Sequence, residues 1–395
     1  MLNEKKVDKI PRSANDNYSE EIVEERINWL REVTGLKFSG ITQYSFLPKD
    51  TKGNIENFIG VAQVPVGLAG PLKINGDHAK GTFLIPLATT EGALVASYNR
   101  GMKIVSDSGG VSARILKDEI YIGAIFDFNS LLEVIEFFEW VDGNHNKLKE
   151  IAESTTKHGK LLHIEKYQQG KRALLNIHYT TGDASGLNMI TVATKALIDH
   201  IMKETKAQRY ILPVTFNDKK STSMNAVKGR GKKVSADVII PRRIVEETLR
   251  TTPEEMSYCC YSNYLMAAAN IGTITYNHHF ANGLSALFIA CGQDVAYIAE
   301  SSVGSTVMDV TKEGDLYVGV NLPDLIIATV GGGTGLSTAK EYLELLGCYG
   351  TGKARKFAEI IAAVLLAGEI SIWGAIVSGE FSEAHNRYGR NRPRE

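Results

Sequence analysis

Lys160-Leu-Leu-His-Ile-Glu-Lys-Tyr167 and Arg172-Ala-Leu-Leu-Asn-Ile-His-Tyr179 alternate apolar and polar residues on either side of Gln168-Gln-Gly-Lys171. That pattern predicts a hairpin of two half-buried strands. Upstream, Ile120 to Phe126 is rich in β-formers, and Ser130 to about Thr156 places apolar residues at helical spacing. Downstream, Gly186 to Lys206 presents Leu187, Ile190, Ala193, Leu197 and Ile201 on one helix face, and Tyr210 to Val214 reads as a last strand. The order β-α-β-β-α-β predicts a ferredoxin-like split βαβ unit. The fold class is therefore α/β (α+β), a small domain inserted in a larger, helix-rich one.

The chain has 395 residues, 44% of them apolar, enough for two or three domains with a large core. A net charge of −1 leaves no basic field for nucleic acid. Cys259, Cys260, Cys291 and Cys348 show neither metal-ligand spacing nor disulfide density, so a reducing compartment and no metal are expected. No apolar run follows the N-terminal lysines, so no secretory leader is expected and a cytoplasmic protein is. Phe357 to Gly379 is the most apolar long stretch, but Glu359 and Glu369 interrupt it, which predicts a core helix or helix pair and not a membrane span.

Residues 1–17 are polar and expected to be disordered, and Tyr18 to Val33 has an amphipathic helical pattern. Residues 54–72 are too rich in Gly and Pro for one regular element. Pro86 to Gly101 predicts an extended segment, then a helix with Glu91 in its first turn, closed by Arg100-Gly101. Residues 220–395 read as helix-rich with Gly-heavy joints, with a tight turn at Gly331-Gly-Gly-Thr334. The expected divisions are an N-terminal segment 1–53, a large domain of 54–117 and 223–395, a small cofactor domain 118–210 and a connecting loop 211–222.

Several short stretches fall in one order: Glu56-Asn-Phe-Ile-Gly60, Pro65-Val-Gly-Leu-Ala-Gly-Pro-Leu72, Thr89-Thr-Glu91, Asn217-Asp-Lys-Lys220, Gly229-Arg-Gly-Lys232, Cys291-Gly-Gln-Asp294, Thr329-Val-Gly-Gly-Gly-Thr334, Leu366-Ala-Gly-Glu369 and His385. Together they resemble the 3-hydroxy-3-methylglutaryl-CoA (HMG-CoA) reductases over residues 54–390, in particular the soluble catalytic part of their first class. The resemblance implies reduction of a thioester to an alcohol by two hydrides, through a hemithioacetal and an aldehyde. Each hydride addition puts negative charge on a carbonyl oxygen, which calls for a fixed cation. Lys219 matches the family's catalytic lysine. Glu91 matches its glutamate, a proton donor once burial raises its pKa. Asp294 matches its aspartate, Asn282 an asparagine beside that network, and His385 the acid that protonates the departing thiolate.

The resemblance also assigns binding residues. Asp218 and Lys220 flank Lys219, and Ser97, Asn99 and Arg100 resemble positions near CoA and nicotinamide. With no strand–GxGxxG–helix unit, cofactor binding falls to Thr181-Gly-Asp-Ala-Ser-Gly-Leu-Asn-Met189, where a Gly-rich turn opens a helix. There Asp183, Ser185, Gly186, Asn188 and Met189 are the candidates, though Asp183 or Ser185 read alone is a helix cap. Lys157, with Thr156, stands where NADPH-selective members hold the 2′-phosphate, so NADPH is expected over NADH. A homodimer or higher oligomer with interfacial active sites is implied as well.

The match fails at the pocket for the substrate's free carboxylate. Ile122 stands where the family has an arginine, the family's Asn-Lys-Asn-Leu reads Ser262-Asn-Tyr-Leu265 with Ser262 taken for the lysine, and Leu212 to Phe216 replaces a Ser-Gly-Asn segment. Losing two charge-assisted contacts weakens such recognition by about two to four decades. Three readings follow: HMG-CoA reduction to mevalonate for isoprenoid synthesis, the same chemistry on another acyl thioester, or an inactive scaffold. Retention of Glu91, Lys219, Asp294 and His385 argues against the third.

Overall fold

The computed structural model describes residues 9–212 and 220–380. Helix α1 (Glu20–Thr34) starts at a Ser19 cap and ends at left-handed Gly35. Its Arg26 is fully buried and donates to the carbonyls of Pro11, Asn17 and Phe58 and to Asn17 Oδ1. Residues 11–17 are thereby held against the helix, contrary to the disorder expected of this polar segment.

Strands β1 (Val66–Asn75) and β2 (Lys80–Ala88) form a separate hairpin, with an irregularity between Ala69 and Leu72. Glu91 precedes helix α2 (Leu94–Asp107), which begins at a left-handed Ala93. The expected stop at Arg100-Gly101 is overturned, because α2 runs on to Asp107. A Cβ on Gly101 would lie 1.8 Å from the carbonyl oxygen of Ala367, so this glycine permits helix contact and does not end a helix.

Strand β3 (Ser112–Asp127) is shared by two sheets. Its first half pairs with β7 (Gly231–Ile240) and its second half with β5 (Arg172–Thr180). Helices α3 (Leu131–Gly143) and α4 (His145–Ser154) lead to β4 (Lys160–Gln169), and α5 (Leu187–Glu204) follows β5 and leads to β6 (Arg209–Ile211). The strand order β6-β3-β5-β4 is the expected ferredoxin-like unit, with the 168–171 hairpin in register. The division drawn at 117/118 falls within β3, so the small unit is continuous with the large sheet through one strand.

The region after residue 220 is not purely helical. Short α6 (Met224–Lys228) precedes β7, followed by α7 (Arg242–Ile244), α8 (Pro253–Asn263), α9 (Phe280–Ala290) and α10 (Ile298–Ser301). Strands β8 (Ser305–Val310) and β9 (Leu316–Leu325) then extend the sheet in the order β3-β7-β9-β8. Helices α11 (Ser337–Leu345) and α12 (Ala354–Val377) close the described chain. Helix α12 is long and apolar enough to cross a bilayer, yet it lies buried against α2, α9, β3 and β7 as the central rod.

That packing makes Gly101 a sensitive position. Gly101→Ala is expected to lower unfolding free energy by roughly 2–4 kcal/mol, since one helix must shift to admit the methyl group. Urea denaturation of the purified variant measures it.

Candidate active site

Two contacts bring expected site residues together, one at the start of α9 and one in the turn after it. The turn before α2 carries Glu91, α9 carries Asn282, the following turn carries Asp294, and Lys220 lies at the near end of the Asn-Asp-Lys-Lys stretch. Asn282 Nδ2 donates to Glu91 Oε2 at 3.4 Å. Lys220 Nζ stands 2.6 Å from Asp294 Oδ2 and 5.1 Å from the centre of the Tyr297 ring. Asp294 Oδ1 also accepts from the N–H of Ala296, so its capping and ion-pair roles coexist. Asp218, Lys219 and His385 lie outside the described residues. The aspartate pairs here with Lys220. Glu91 is exposed, so the burial expected to make it a proton donor is not supplied by the described residues.

A buried carboxylate orients α9. Glu369, on α12, accepts the N–H groups of His278 and His279 on one oxygen and the Thr306 hydroxyl on the other, at 2.9, 2.5 and 2.9 Å. Burial pushes its pKa up to about 7, against the opposing effect of those hydrogen bonds. The His279 imidazole is pushed down to about 4, chiefly by burial and secondarily by His278. Its Nε2 lies 3.4 Å from Ser97 Oγ, which lies 3.0 Å from Ser371 Oγ. Arg100 donates to the Ser371 hydroxyl and carbonyl at 3.0 and 2.6 Å. Ser97 and Arg100 thus form one polar group with His279 and Ser371. The sequence assigns no role to His279 or Ser371, and Glu369 enters there only within a matching stretch and as a charge in an apolar run.

Other expected binding residues sit differently. Ile122 is fully buried in the core and pairs with Ile177, so its side chain faces no substrate. Ser262 is half-buried near the end of α8, and matched one to one the family's lysine falls on Asn263. The carboxylate of Asp183 accepts the N–H groups of Gly352, Lys353 and Ala354 at 2.7–3.0 Å. It therefore caps α12, a distant helix. Thr156 Oγ1 accepts from the N–H of His158 and Gly159 and lies 2.8 Å from Met189 Sδ, which engages both side chains internally. Lys157 and Asn188 are exposed, and Ser185 lines a small cleft with Asp118, Thr181 and Lys232. Gly186 starts the 18-residue α5 with no side-chain cap, which leaves first-turn N–H groups for an anion.

In the small unit, His178 bridges Glu119 and Glu165 at 2.9 and 3.2 Å, and the His163 ring stacks on it at 4.0 Å. Both His178 nitrogens are engaged. Glu119, His178, Glu165 and Asn176 thus form one hydrogen-bonded network across β3, β5 and β4.

Comparison with known proteins identifies the family. The family model for hydroxymethylglutaryl-coenzyme A reductase matches residues 22–390. The chain belongs to that family. It is 41% identical over 376 residues to the 3-hydroxy-3-methylglutaryl-coenzyme A reductase of Methanothermobacter thermautotrophicus, covering 94% of each chain. It is 43% identical to that of Methanocaldococcus jannaschii, covering 92% of each. Among solved structures, a class II HMG-CoA reductase of Streptococcus pneumoniae bound to NADPH superposes with a TM-score of 0.67 at 21% identity, over 84% of this chain and 89% of that one. At that identity the likeness is one of fold.

The raised pKa of Glu369 has a signed consequence for the reductase. Between about 4.5 and 7 the folded carboxyl keeps a proton that the unfolded one loses, so its stabilising contribution declines as pH rises through that window. Glu369→Gln mimics the protonated form: one oxygen accepts both N–H groups, and the amide donates to Thr306. The stability difference, variant minus wild type, is expected to grow by up to about 3 kcal/mol from pH 5 to pH 8. Paired denaturation curves check it, and the subtraction cancels His278, whose burial-lowered pKa gives the opposite slope.

Proposed function

We propose that this chain reduces HMG-CoA to mevalonate with two NADPH, releasing free coenzyme A. The observation that carries the reading is the pair of contacts Glu91–Asn282 and Lys220–Asp294, set in a chain over 40% identical to reductases of that name. NADPH would supply two hydrides. The uncapped N-terminus of α5, with Gly186, Asn188 and Ser185, would hold its pyrophosphate, and exposed Lys157 the 2′-phosphate. Residues 118–210 would then be the cofactor-binding unit.

The chain's own groups divide the remaining work. The Lys219 ammonium would stabilise negative charge on the thioester carbonyl oxygen as it becomes tetrahedral. Collapse of the hemithioacetal breaks the C–S bond, and His385 would protonate the thiolate so that it cannot re-add. In the second reduction Glu91 would deliver the proton that turns alkoxide into alcohol, with Asn282 orienting its carboxyl. Asp294 would hold the lysines' ammonium groups in place. Ser97 and Arg100, fixed through Ser371, would meet the coenzyme A end of the substrate. Ser262 and Asp218 would line the acyl end.

The exposure of Glu91 supports an assembly in which a second copy covers the site. Tyr258, Leu265, Met266 and Ile271, on α8 and the segment after it, are 69–80% exposed, an apolar surface suited to that contact. Light scattering on an eluting peak is expected to give at least twice the chain mass of 43.2 kDa. A peak at one chain mass would remove the interfacial site. The proposed location is the cytoplasm, with α12 buried inside the fold.

A second reading keeps the chemistry and changes the acyl group. It is favoured by the apolar burial of Ile122 and by the engagement of Lys220 with Asp294, which leave fewer cations for a free carboxylate. NADPH oxidation with HMG-CoA decides between the readings. Two NADPH consumed per mevalonate, and a loss of at least about 10²-fold in Lys219→Ala, are expected from an electrostatic stabiliser. NADPH binding without turnover would transfer the role to another acyl thioester.

A further inference from the structure

Glu300, in α10, is fully buried, and so is its partner Arg230. Arg230 Nη2 reaches both carboxylate oxygens at 2.8 and 2.9 Å, and Nε reaches Oε2 at 3.2 Å. A buried ion pair of this kind is weak evidence for stability, because well-packed apolar residues often serve as well. Its use must be sought in what else the carboxylate holds. Glu300 Oε1 also accepts the backbone N–H of Lys220 at 3.0 Å. Lys220 has φ of 57°, the left-handed region that a β-carbon disfavours. Two residues on, Thr222 Oγ1 donates to the Ala299 carbonyl at 2.9 Å. The Lys220 turn is thus fastened to residues 299–300 while its side chain meets Asp294.

The sequence Gly229-Arg-Gly231 explains how Arg230 arrives there. Both glycines have positive φ, 95° and 96°, and a Cβ on either would fall within 2.4–2.6 Å of the carbonyl oxygen of Pro323 or Leu325. The backbone passes too close to the end of β9 for any other residue, and this delivers the guanidinium to the buried carboxylate. The Gly-Arg-Gly stretch, the strained Lys220 and Glu300 are parts of one device.

We infer that Glu300, oriented by Arg230, is a positioning residue that fixes the Lys220 turn, and through it the Lys220–Asp294 contact. This rests on the reductase reading above for its kinetic consequence, but not for its structural one. The role is distinct from catalysis, since Glu300 has no exposed surface with which to touch a substrate.

The test separates positioning from stability. The double variant Arg230→Met, Glu300→Leu replaces the ion pair by apolar residues, and it is expected to melt within a few degrees of wild type. Its kcat with HMG-CoA and NADPH is expected to fall about 10- to 100-fold, with the KM for NADPH unchanged within about twofold. Residue-resolved amide exchange should show faster exchange at Lys220 with protection in α12 intact. A second double variant, Arg230→Leu, Glu300→Met, also removes the acceptor without stranding a buried charge; it should show the same kcat loss and the same faster exchange at Lys220, and it serves if the first does not fold. Wild-type kcat, or unchanged protection at Lys220, in a folded variant overturns the inference. If the wild type itself does not turn over HMG-CoA, the substrate reading fails, and exchange at Lys220 alone then decides the positioning role.

Discussion

A carboxylate taken out of water must be met by N–H and O–H donors, or the cost of burial is left uncompensated. Three fully buried carboxylates, Glu300, Glu359 and Glu369, and the half-buried Asp183 organise this molecule, and each holds backbone at a turn. Asp183 receives three N–H groups at the start of α12. Glu359, on α12, receives those of His78 and Ala79 in the turn of the first hairpin, and Glu369, ten residues on, receives those of His278 and His279 before α9. Glu300 receives that of Lys220. Three of the four act through α12, which is why the apolar rod carries acidic residues at all. An apolar helix could fill the same core, but it could not set the direction in which the flanking turns leave it.

The small unit was legible because its signals are local. Alternation at 160–179 and the helix face at 187–201 give both element type and order, and the split βαβ arrangement follows from the order alone. Strands β7 and β9 were missed for different reasons. Val234, Ala236, Val238 and Ile240 do alternate with Lys233, Ser235 and Asp237, a period-two signal obscured by the glycines and lysines before it. Strand β9 is buried on both sides over much of its length and contains Pro323, so it offers no alternation to read. The stop assigned to Gly101 failed because a glycine that ends a helix and one that admits a neighbouring helix look alike in one sequence.

The candidate site was legible in its residue types and not in its connections. Asn282 and Glu91 meet across 191 positions, and nothing local to either announces the other. Asp183 reads as a cofactor residue, or alone as a cap for the helix it precedes, but it caps one that begins 171 residues later. Ile122 shows the opposite case. Its spacing with Ile120, Ala124 and Phe126 already places it on the buried face of a strand, and family resemblance drew attention from that simpler signal. Glu300 carries no mark in the sequence, since its importance lies in a partner 70 positions away and a strained lysine 80 away.

The same division between local and distant bears on how the site works. The supporting contacts, Glu369 to the α9 turn and Glu300 to the Lys220 turn, are fully buried, while the groups that would meet substrate, Glu91, Asp294 and Lys220, are exposed. Exposed ion pairs are screened by water and hold little orientation of their own. Their geometry must therefore come from the backbone beneath them, which the buried carboxylates fix. Electrostatic stabilisation of a developing oxyanion gains its strength when water is excluded. If a second surface covers the site as proposed, such an arrangement would keep the reactive groups hydrated and paired until substrate is in place. In this view the buried carboxylates are as much a part of the chemistry as the exposed ones, because they determine where charge stands when the water leaves.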